Sequence, residues 1–270
     1  GPGGGCQEST RRFFDPLHYR VILVDQRGCG RSLPFCCLED NNTQALIADF
    51  EMIRQHLSID QWMLFGGSWG TTLSLAYAQS HPDSISQMIF RGVFLASPEE
   101  MTWLFKAGGA SKIYPEAWQQ FVAGFSSQEQ DNILQAYCQR FEQLHEEELT
   151  TLSRQCCRWE TTIARLISDP ERIERDLQDD STLSYARIIS HYASHDFFLP
   201  HKLIDNLESC RHIPLDIVHG RHDVICPPAT AWRLHQAWPS SRLHMVADGA
   251  HAAMEPSMAN ALVALCDQSI

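Results

Sequence analysis

The sequence is poor in basic residues and has no long apolar run. Its 270 residues include 21 Lys and Arg against 33 Asp and Glu, a formal net charge of −12. Nucleic acids and anionic membranes attract basic surfaces, so this charge argues against both as partners. No stretch approaches the roughly 20 apolar residues that span a bilayer, and residues 1–5 lack the basic and apolar regions of a signal peptide. We therefore expect a cytoplasmic protein, whose oligomeric state stays open.

Spaced cysteine and histidine motifs are also missing. The ten cysteines occur as Cys36-Cys37, Cys156-Cys157 and scattered single residues, unlike the spaced framework of small secreted domains. There is no CxxC pair, and the 13 histidines form no HExxH motif. The sequence therefore predicts reduced thiols and no metal site.

What the sequence does contain is an alternation of strand and helix patterns. With 44% apolar and 20% charged residues, the chain is an ordinary globular protein. Its patterns predict strands at residues 19–25, 62–65, 85–91, 215–219 and 242–246. They predict helices at residues 43–57, 71–80, 228–238 and from 256 onward. Between residues 97 and 206 only helical patterns occur. This order predicts an α/β fold with a parallel sheet. We expect a core at residues 1–96 and 207–270 and a helical cap at 97–206.

A glycine-flanked serine follows the strand predicted at residues 62–65. Gly66-x-Ser68-x-Gly70 fits the nucleophile elbow, in which small neighbours allow a sharp strand-to-helix turn that exposes the serine hydroxyl. The pattern alone is weak and also fits a glycine-rich surface turn. Its context, a strand before and a helix after, favours Ser68 as a catalytic nucleophile.

A serine nucleophile needs a histidine base and an acid that orients it. Asp223 and His251 each follow a predicted strand, and the order Ser, Asp, His is that of α/β-hydrolases. Asp248 is a rival acid. Because it lies only three residues before His251, however, its side chain more readily shapes the turn between them. For the oxyanion donors we expect the backbone N–H groups of Trp69 and of the glycine-rich start at Gly1.

Four motifs together resemble the proline iminopeptidases (prolyl aminopeptidases): GPGGG at residues 1–5, DQRGCGRS at 25–32, GGSWG at 66–70 and GRHDVICPP at 220–228. The resemblance implies the α/β-hydrolase fold, a mostly parallel sheet with an inserted helical cap. It also implies release of N-terminal proline from short peptides through an acyl-enzyme, without metal or organic cofactor. The family's first strands would precede Gly1, so the resemblance predicts that these amino-terminal strands are missing here.

The resemblance also implies carboxylates that bind the substrate's terminal amine. One belongs to a Trp-Glu pair, which matches Trp159-Glu160 here, so Glu160 is the predicted substrate-binding residue. The position of the second is occupied by Ile189, and Ala193 replaces an aromatic residue of the family's motif. These departures leave two alternatives open: an esterase or amidase that needs no free amine, and a catalytically silent truncated form.

Overall fold

The four strands form one parallel sheet in a computed structural model that describes residues 1–269, except for the side chains of residues 146 and 147. In the described part, the strand order is β1-β2-β3-β4 and every neighbouring pair is parallel. The strands are β1 (Trp62–Ser68), β2 (Ile85–Val93), β3 (Leu215–Gly220) and β4 (Arg242–Val246). Parallel strands place their carboxyl ends along one edge, where ligand sites of α/β proteins form.

The helices number eleven among the described residues, and short 3₁₀ turns lie between them. The helices are α1 (Thr43–His56), α2 (Trp69–Ser80), α3 (Pro98–Phe105), α4 (Pro115–Phe121), α5 (Ser127–Gln130), α6 (Ile133–Phe141), α7 (Glu146–Ile163), α8 (Pro170–Asp176), α9 (Ser181–Ala193), α10 (Pro228–Ala237) and α11 (Pro256–Gln268). The 3₁₀ turns are Glu8–Phe13, Pro82–Ser84, Ala110–Lys112, Asp196–Phe198 and Leu203–Asp205. None of the described helices combines the length and apolarity needed to cross a membrane.

The chain divides into two compact units. The core unit comprises residues 7–23, 43–97 and 199 onward, and the cap unit comprises residues 1–6, 24–42 and 98–198. The sequence-based division at 97–206 placed the helical cap similarly but gave residues 1–6 and 24–42 to the core. The structure groups those two segments with the cap helices, because Gly3 of the first segment and Gly28 of the second both pack on α9.

The core unit contains the sheet. Helix α2 packs on β1 and β2, α10 on β2 and β3, and α11 on β3 and β4. Ile89 of β2 and Val218 of β3 lie in one apolar cluster with Met258, Leu262 and Leu265 of α11. Every residue of β3 is buried, as expected for a parallel strand covered on both faces.

Helices are the regular elements in the described part of the cap unit, and its segments 1–6 and 24–42 consist of turns and loops. An aromatic cluster of Trp118, Phe121, Tyr137 and Trp159 joins helices α4, α6 and α7. Trp159 Nε1 also donates to the carbonyl of Leu104 at 3.0 Å. The bulky residues in this part of the sequence therefore serve first as the cap's own core.

Most elements predicted from the sequence are confirmed, including a strand over Arg242–Val246. The strand predicted at residues 19–25 is wrong, since the structure has no regular secondary structure there. A β-branched run becomes a strand only when a neighbouring backbone supplies hydrogen bonds, and none of the described strands pairs with this segment. Composition alone does not reveal that partner.

Candidate active site

Ser68 occupies a strained backbone turn between β1 and α2. Its φ of 56° and ψ of −123° lie in a region that non-glycine residues rarely adopt, as the elbow requires. Gly66 makes the turn possible, because a Cβ there would come within 2.5 Å of the carbonyl oxygen of Gly70. The predicted serine therefore stands on the predicted type of turn, at the carboxyl end of β1.

Asp223 and His251 form a buried hydrogen-bonded pair. His251 Nδ1 lies 2.8 Å from Asp223 Oδ2, and the second oxygen, Oδ1, accepts from the backbone N–H of Cys226 at 2.8 Å. Only 3% of Asp223 and 9% of His251 is exposed. Both carboxylate oxygens are thus satisfied, and the acid is held at the imidazole's Nδ1 edge.

The protein environment keeps Asp223 ionised. Burial by itself raises the pKa of its carboxyl group, but the charge and hydrogen bond of His251, the charge of His219 and the Cys226 N–H outweigh burial and hold that pKa below its usual value. An ionised Asp223 accepts a hydrogen bond from the Nδ1–H of His251, which leaves Nε2 as the basic nitrogen.

A glycine makes room for this pair at the end of β2. Gly92 has a φ of +56°, and a Cβ there would lie 3.1 Å from the His251 ring and 3.2 Å from Asp223 Oδ2. A side chain at this position would therefore be strained and would push against both members. Gly92, next to the last residue of β2, therefore leaves the space that the pair needs.

The rival acid lies elsewhere. Asp248 accepts a hydrogen bond at 2.6 Å from the hydroxyl of Ser257, near the start of α11, and is exposed. Its carboxylate thus shapes the loop after β4, whereas Asp223 contacts His251.

Two side chains at strand ends were not selected from the sequence. Arg91 Nη1 lies 3.2 Å from His251 Nε2 and donates to the backbone carbonyl of His251 at 2.9 Å. His219 is fully buried, accepts at Nδ1 from the N–H of Val93 at 3.1 Å and donates from Nε2 to the carbonyl of Cys226 at 2.8 Å. Burial lowers the pKa of His219, which fits its neutral form. The sequence feature that could have identified Arg91 and His219 is their position near the carboxyl ends of β2 and β3.

Ser68 and His251 each lie near the thiol of Cys226. Ser68 Oγ lies 4.0 Å from Cys226 Sγ, and in the described structure no hydrogen bond links Ser68 to His251. Catalytic hydrogen bonds are often long in a free enzyme and tighten when substrate binds. The separation is therefore compatible with a serine-histidine pair at rest.

One group of side chains in the described residues has metal-ligand atoms close together. Ligand atoms of Asp223, Cys226 and His251 lie within 4.8 Å of one another. Asp223 and His251, however, already share a hydrogen bond, and a metal ion would have to break it. The donor set therefore fits an acid-base pair, and we assign no metal to it.

The remaining predicted residues lie in the cap unit. Glu160 on α7 faces Tyr185 of α9. The pKa of Tyr185 is raised well above its ordinary value, first by burial and then by the negative charge and hydrogen bonding of Glu160. Gly1 packs on the Tyr185 ring, since a Cβ at Gly1 would lie 3.0 Å from Cε2. Ser184 Oγ donates to the carbonyl of Gly3 at 2.9 Å and fixes the glycine-rich segment on α9.

Ile189 also lies on α9 and is only 5% exposed. Trp69, the other predicted oxyanion donor, begins α2 in the core unit, directly after Ser68. The structure thus brings Ser68, Trp69, Asp223 and His251 into one unit and places Glu160 and Gly1 in the other.

Comparison with known proteins identifies the family. The model of the alpha/beta hydrolase fold family matches residues 3–257. The chain is 44% identical over 266 residues to a proline iminopeptidase of Arabidopsis thaliana, covering 97% of this chain and 70% of the relative. It is 42% identical to a proline iminopeptidase of Neisseria gonorrhoeae, covering 97% and 84%.

Solved structures support the fold. An alpha/beta fold family hydrolase from Bacillus anthracis superimposes with a TM-score of 0.64 at 19% identity, covering 100% of this chain and 87% of that one. An aryl esterase described as putative, from Burkholderia cenocepacia, gives a TM-score of 0.67 at 17% identity, covering 100% and 87%. At such low identity these likenesses show the fold alone. The fold class and the resemblance expected from the sequence are confirmed, and the chain belongs to the proline iminopeptidase family of α/β-hydrolases.

Proposed function

We propose that this protein is a serine aminopeptidase that releases N-terminal proline from peptides through an acyl-enzyme. The observation that carries the proposal is the buried Asp223-His251 pair in the same unit as the Ser68 elbow, in a chain of this family. Usage of cysteine without a disulfide framework supports the cytoplasm as its compartment.

Acylation begins when Ser68 Oγ attacks the carbonyl carbon of the first residue. His251 Nε2 takes the hydroxyl proton, and Asp223 stabilises the resulting imidazolium without taking a proton itself. Collapse of the tetrahedral intermediate breaks the peptide bond. His251 then gives its proton to the departing amine, and the first residue remains as an ester on Ser68.

Deacylation repeats these steps with water. His251 takes a proton from water as the oxygen attacks the ester carbonyl, and the bond to Ser68 Oγ breaks as the proton returns to that oxygen. The products are free proline and the shortened peptide. No other co-reactant is needed.

The oxyanion of each intermediate needs N–H donors fixed before reaction. We propose the Trp69 N–H, which follows the nucleophile at the first turn of α2, where the helix dipole favours negative charge. Gly1 remains the proposed second donor.

The cap unit is proposed to choose the substrate. A free terminal amine is cationic, and a partly buried carboxylate binds it by a charge-assisted hydrogen bond. Glu160 supplies such a carboxylate, with Tyr185 beside it. Peptides with N-terminal proline are thus the proposed partners.

Ile189 favours a second candidate function. A buried isoleucine at the position of the family's second glutamate removes one charge for the amine. An esterase or amidase acting on uncharged substrates through the same Ser68 chemistry is therefore the alternative.

The deciding experiment compares fluorescent amine release from a prolyl amide, an alanyl amide and an N-blocked prolyl amide. The aminopeptidase predicts preference for the free prolyl amide and loss of release in Ser68→Ala. Equal rates on the free and blocked amides would exclude the exopeptidase and favour the alternative. No labelling of folded protein by a serine-directed fluorophosphonate would indicate a catalytically silent form.

A further inference from the structure

The basic nitrogen of His251 faces a cation. Arg91 Nη1 lies 3.2 Å from His251 Nε2, and the same nitrogen donates at 2.9 Å to the backbone carbonyl of His251. Because Nδ1 donates to Asp223, Nε2 carries a lone pair. A guanidinium has only donors, so the contact is an Arg91 N–H donated to that lone pair.

This lone pair is the one that the Ser68 proton must reach. In the described structure Arg91, and not Ser68, contacts Nε2, while Ser68 Oγ lies 4.0 Å from Cys226 Sγ. One lone pair accepts one strong hydrogen bond at a time. Arg91 and Ser68 are therefore competitors for the same acceptor.

The sequence provides space for this arginine. Gly67 and Arg91 are paired residues of β1 and β2. A Cβ at Gly67 would overlap the Arg91 guanidinium, whereas Gly92 on the other side leaves room for the His251 ring. Gly67, the second glycine of GGSWG, is thus explained by the space that the Arg91 guanidinium occupies.

We propose that Arg91 is a positioning residue that holds His251 in its Nδ1-protonated neutral form and covers Nε2 until Ser68 replaces it. This inference rests on the catalytic roles proposed above for Ser68 and His251. The His251 carbonyl contact keeps the guanidinium beside the ring when Nε2 is released. Arg91 therefore gives up one of its two contacts rather than leaving the site.

The charges around His251 give this contact an electrostatic effect. Asp223 faces Nδ1 and Arg91 faces Nε2. The thiol of Cys226 lies within 4.8 Å of ligand atoms of Asp223 and His251, and His219 Nε2 lies 3.7 Å from Asp223 Oδ2. Glu255 accepts a hydrogen bond from the N–H of Ala250, the residue before His251. Asp223 favours the imidazolium, whereas a guanidinium at Nε2 opposes it. Arg91 and Asp223 therefore act in opposite senses on the charge of the ring.

The test measures how fast a fluorophosphonate labels Ser68 as a function of pH. Wild type is compared with Arg91→Gln, which keeps a donor but loses the charge, and with Arg91→Lys, which keeps the charge. Arg221→Gln removes an exposed charge after β3 as the matched control. The labelling rate should fall on the acidic side of the profile, and we expect Arg91→Gln to move this acid limb to higher pH by about one unit. At a fixed pH below the limb, the labelling rate of Arg91→Gln should be about tenfold lower than that of wild type. Arg91→Lys and Arg221→Gln should stay near wild type.

An acid limb unchanged in folded Arg91→Gln would overturn the proposal. Ring ¹⁵N spectra of wild-type histidines give a second answer that needs no variant: at neutral pH, His251 should be protonated at Nδ1 and not at Nε2. A proton on Nε2 would overturn the proposal, because Arg91 could not donate to it. An unlabelled wild type would instead contradict the catalytic roles, and the ring spectra would still show whether Nε2 has the lone pair that Arg91 needs.

Discussion

The core and cap units present their site residues in different ways. In the core unit, Ser68, Asp223 and His251 follow the ends of three parallel strands, and each acid oxygen has a partner. In the cap unit, Glu160 and Ile189 lie within helices whose bulky neighbours serve the cap's own packing. The chemistry proposed for the core thus depends on topology, whereas the specificity proposed for the cap depends on single side chains.

This difference makes the two units separable by experiment. A change in the proposed catalytic residues of the core should slow the reaction of every substrate, because each substrate would pass through the same acyl transfer. A change in Glu160 should weaken only substrates with a free amine. The ratio of free to blocked substrate turnover therefore reports the cap, and the rate itself reports the core.

The largest effect is expected for Ser68→Ala. Removing the nucleophile should lower kcat by about a million-fold on free and blocked amides alike. Ser80→Ala on the same helix, where the hydroxyl only bonds the carbonyl of Ala76 at 3.1 Å, is the matched control. Residual serine-dependent turnover in Ser68→Ala, measured with purified protein, would place the nucleophile elsewhere.

The next effect concerns the acid. Asp223→Asn should lower kcat by about ten-thousand-fold, because the amide no longer holds His251 with Nε2 as the base. Asp248→Asn should leave kcat near wild type, since that carboxylate contacts Ser257 instead. The two variants compared on one prolyl amide decide between the acids, and a larger loss in Asp248→Asn would reverse the assignment.

Strand ends explain why the core was predictable from the sequence. The glycine-flanked Ser68 and the acid and histidine after later strands could be found because a parallel sheet gathers its carboxyl ends at one edge. Arg91 was missed since an arginine near the end of a strand carries no motif. The strand expected at residues 19–25 failed because strand formation depends on a partner that local sequence does not encode.

The cap could be recognised only as helical. Apolar spacing identifies helices, and Trp159 turned out to pack in an aromatic cluster. Nothing in such spacing distinguishes Glu160 from the other cap glutamates; its selection came from resemblance. The contact with Tyr185 could not be predicted, because it joins α7 and α9 across more than twenty residues.

Glu160→Gln is the test of the cap. The amide keeps the shape but loses the charge, so we expect a ten- to hundredfold higher KM for the free prolyl amide, as a charge-assisted hydrogen bond is replaced by a neutral one. KM for the blocked amide should not change. Glu174→Gln, an exposed cap residue paired with Arg158, is the control. Equal effects on both substrates would mean that Glu160 stabilises the cap rather than binding the amine.

The smallest expected effect concerns acid stability, where two glutamates allow a matched comparison of the units. In the core, hydrogen bonds from Arg54 first, and then from Tyr77 and Gln55, outweigh burial and lower the pKa of Glu51 to about 2. In the cap, Ser126 and then Arg140 lower the pKa of Glu129 to about 2. The Glu51 side chain is 15% exposed and that of Glu129 36%.

A carboxyl group with a lowered folded-state pKa stabilises the fold fully above its unfolded value, roughly 4.3, and loses that contribution as pH falls towards about 2. Glu51→Gln should therefore flatten the fall of unfolding free energy over this window, measured by urea titration at several pH values. Glu129→Gln should flatten it less, because glutamine also completes a capping box and water screens the more exposed carboxylate. An equal or larger effect of Glu129→Gln would show that exposure does not separate the two units, and that the cap depends on its charged contacts as much as the core does.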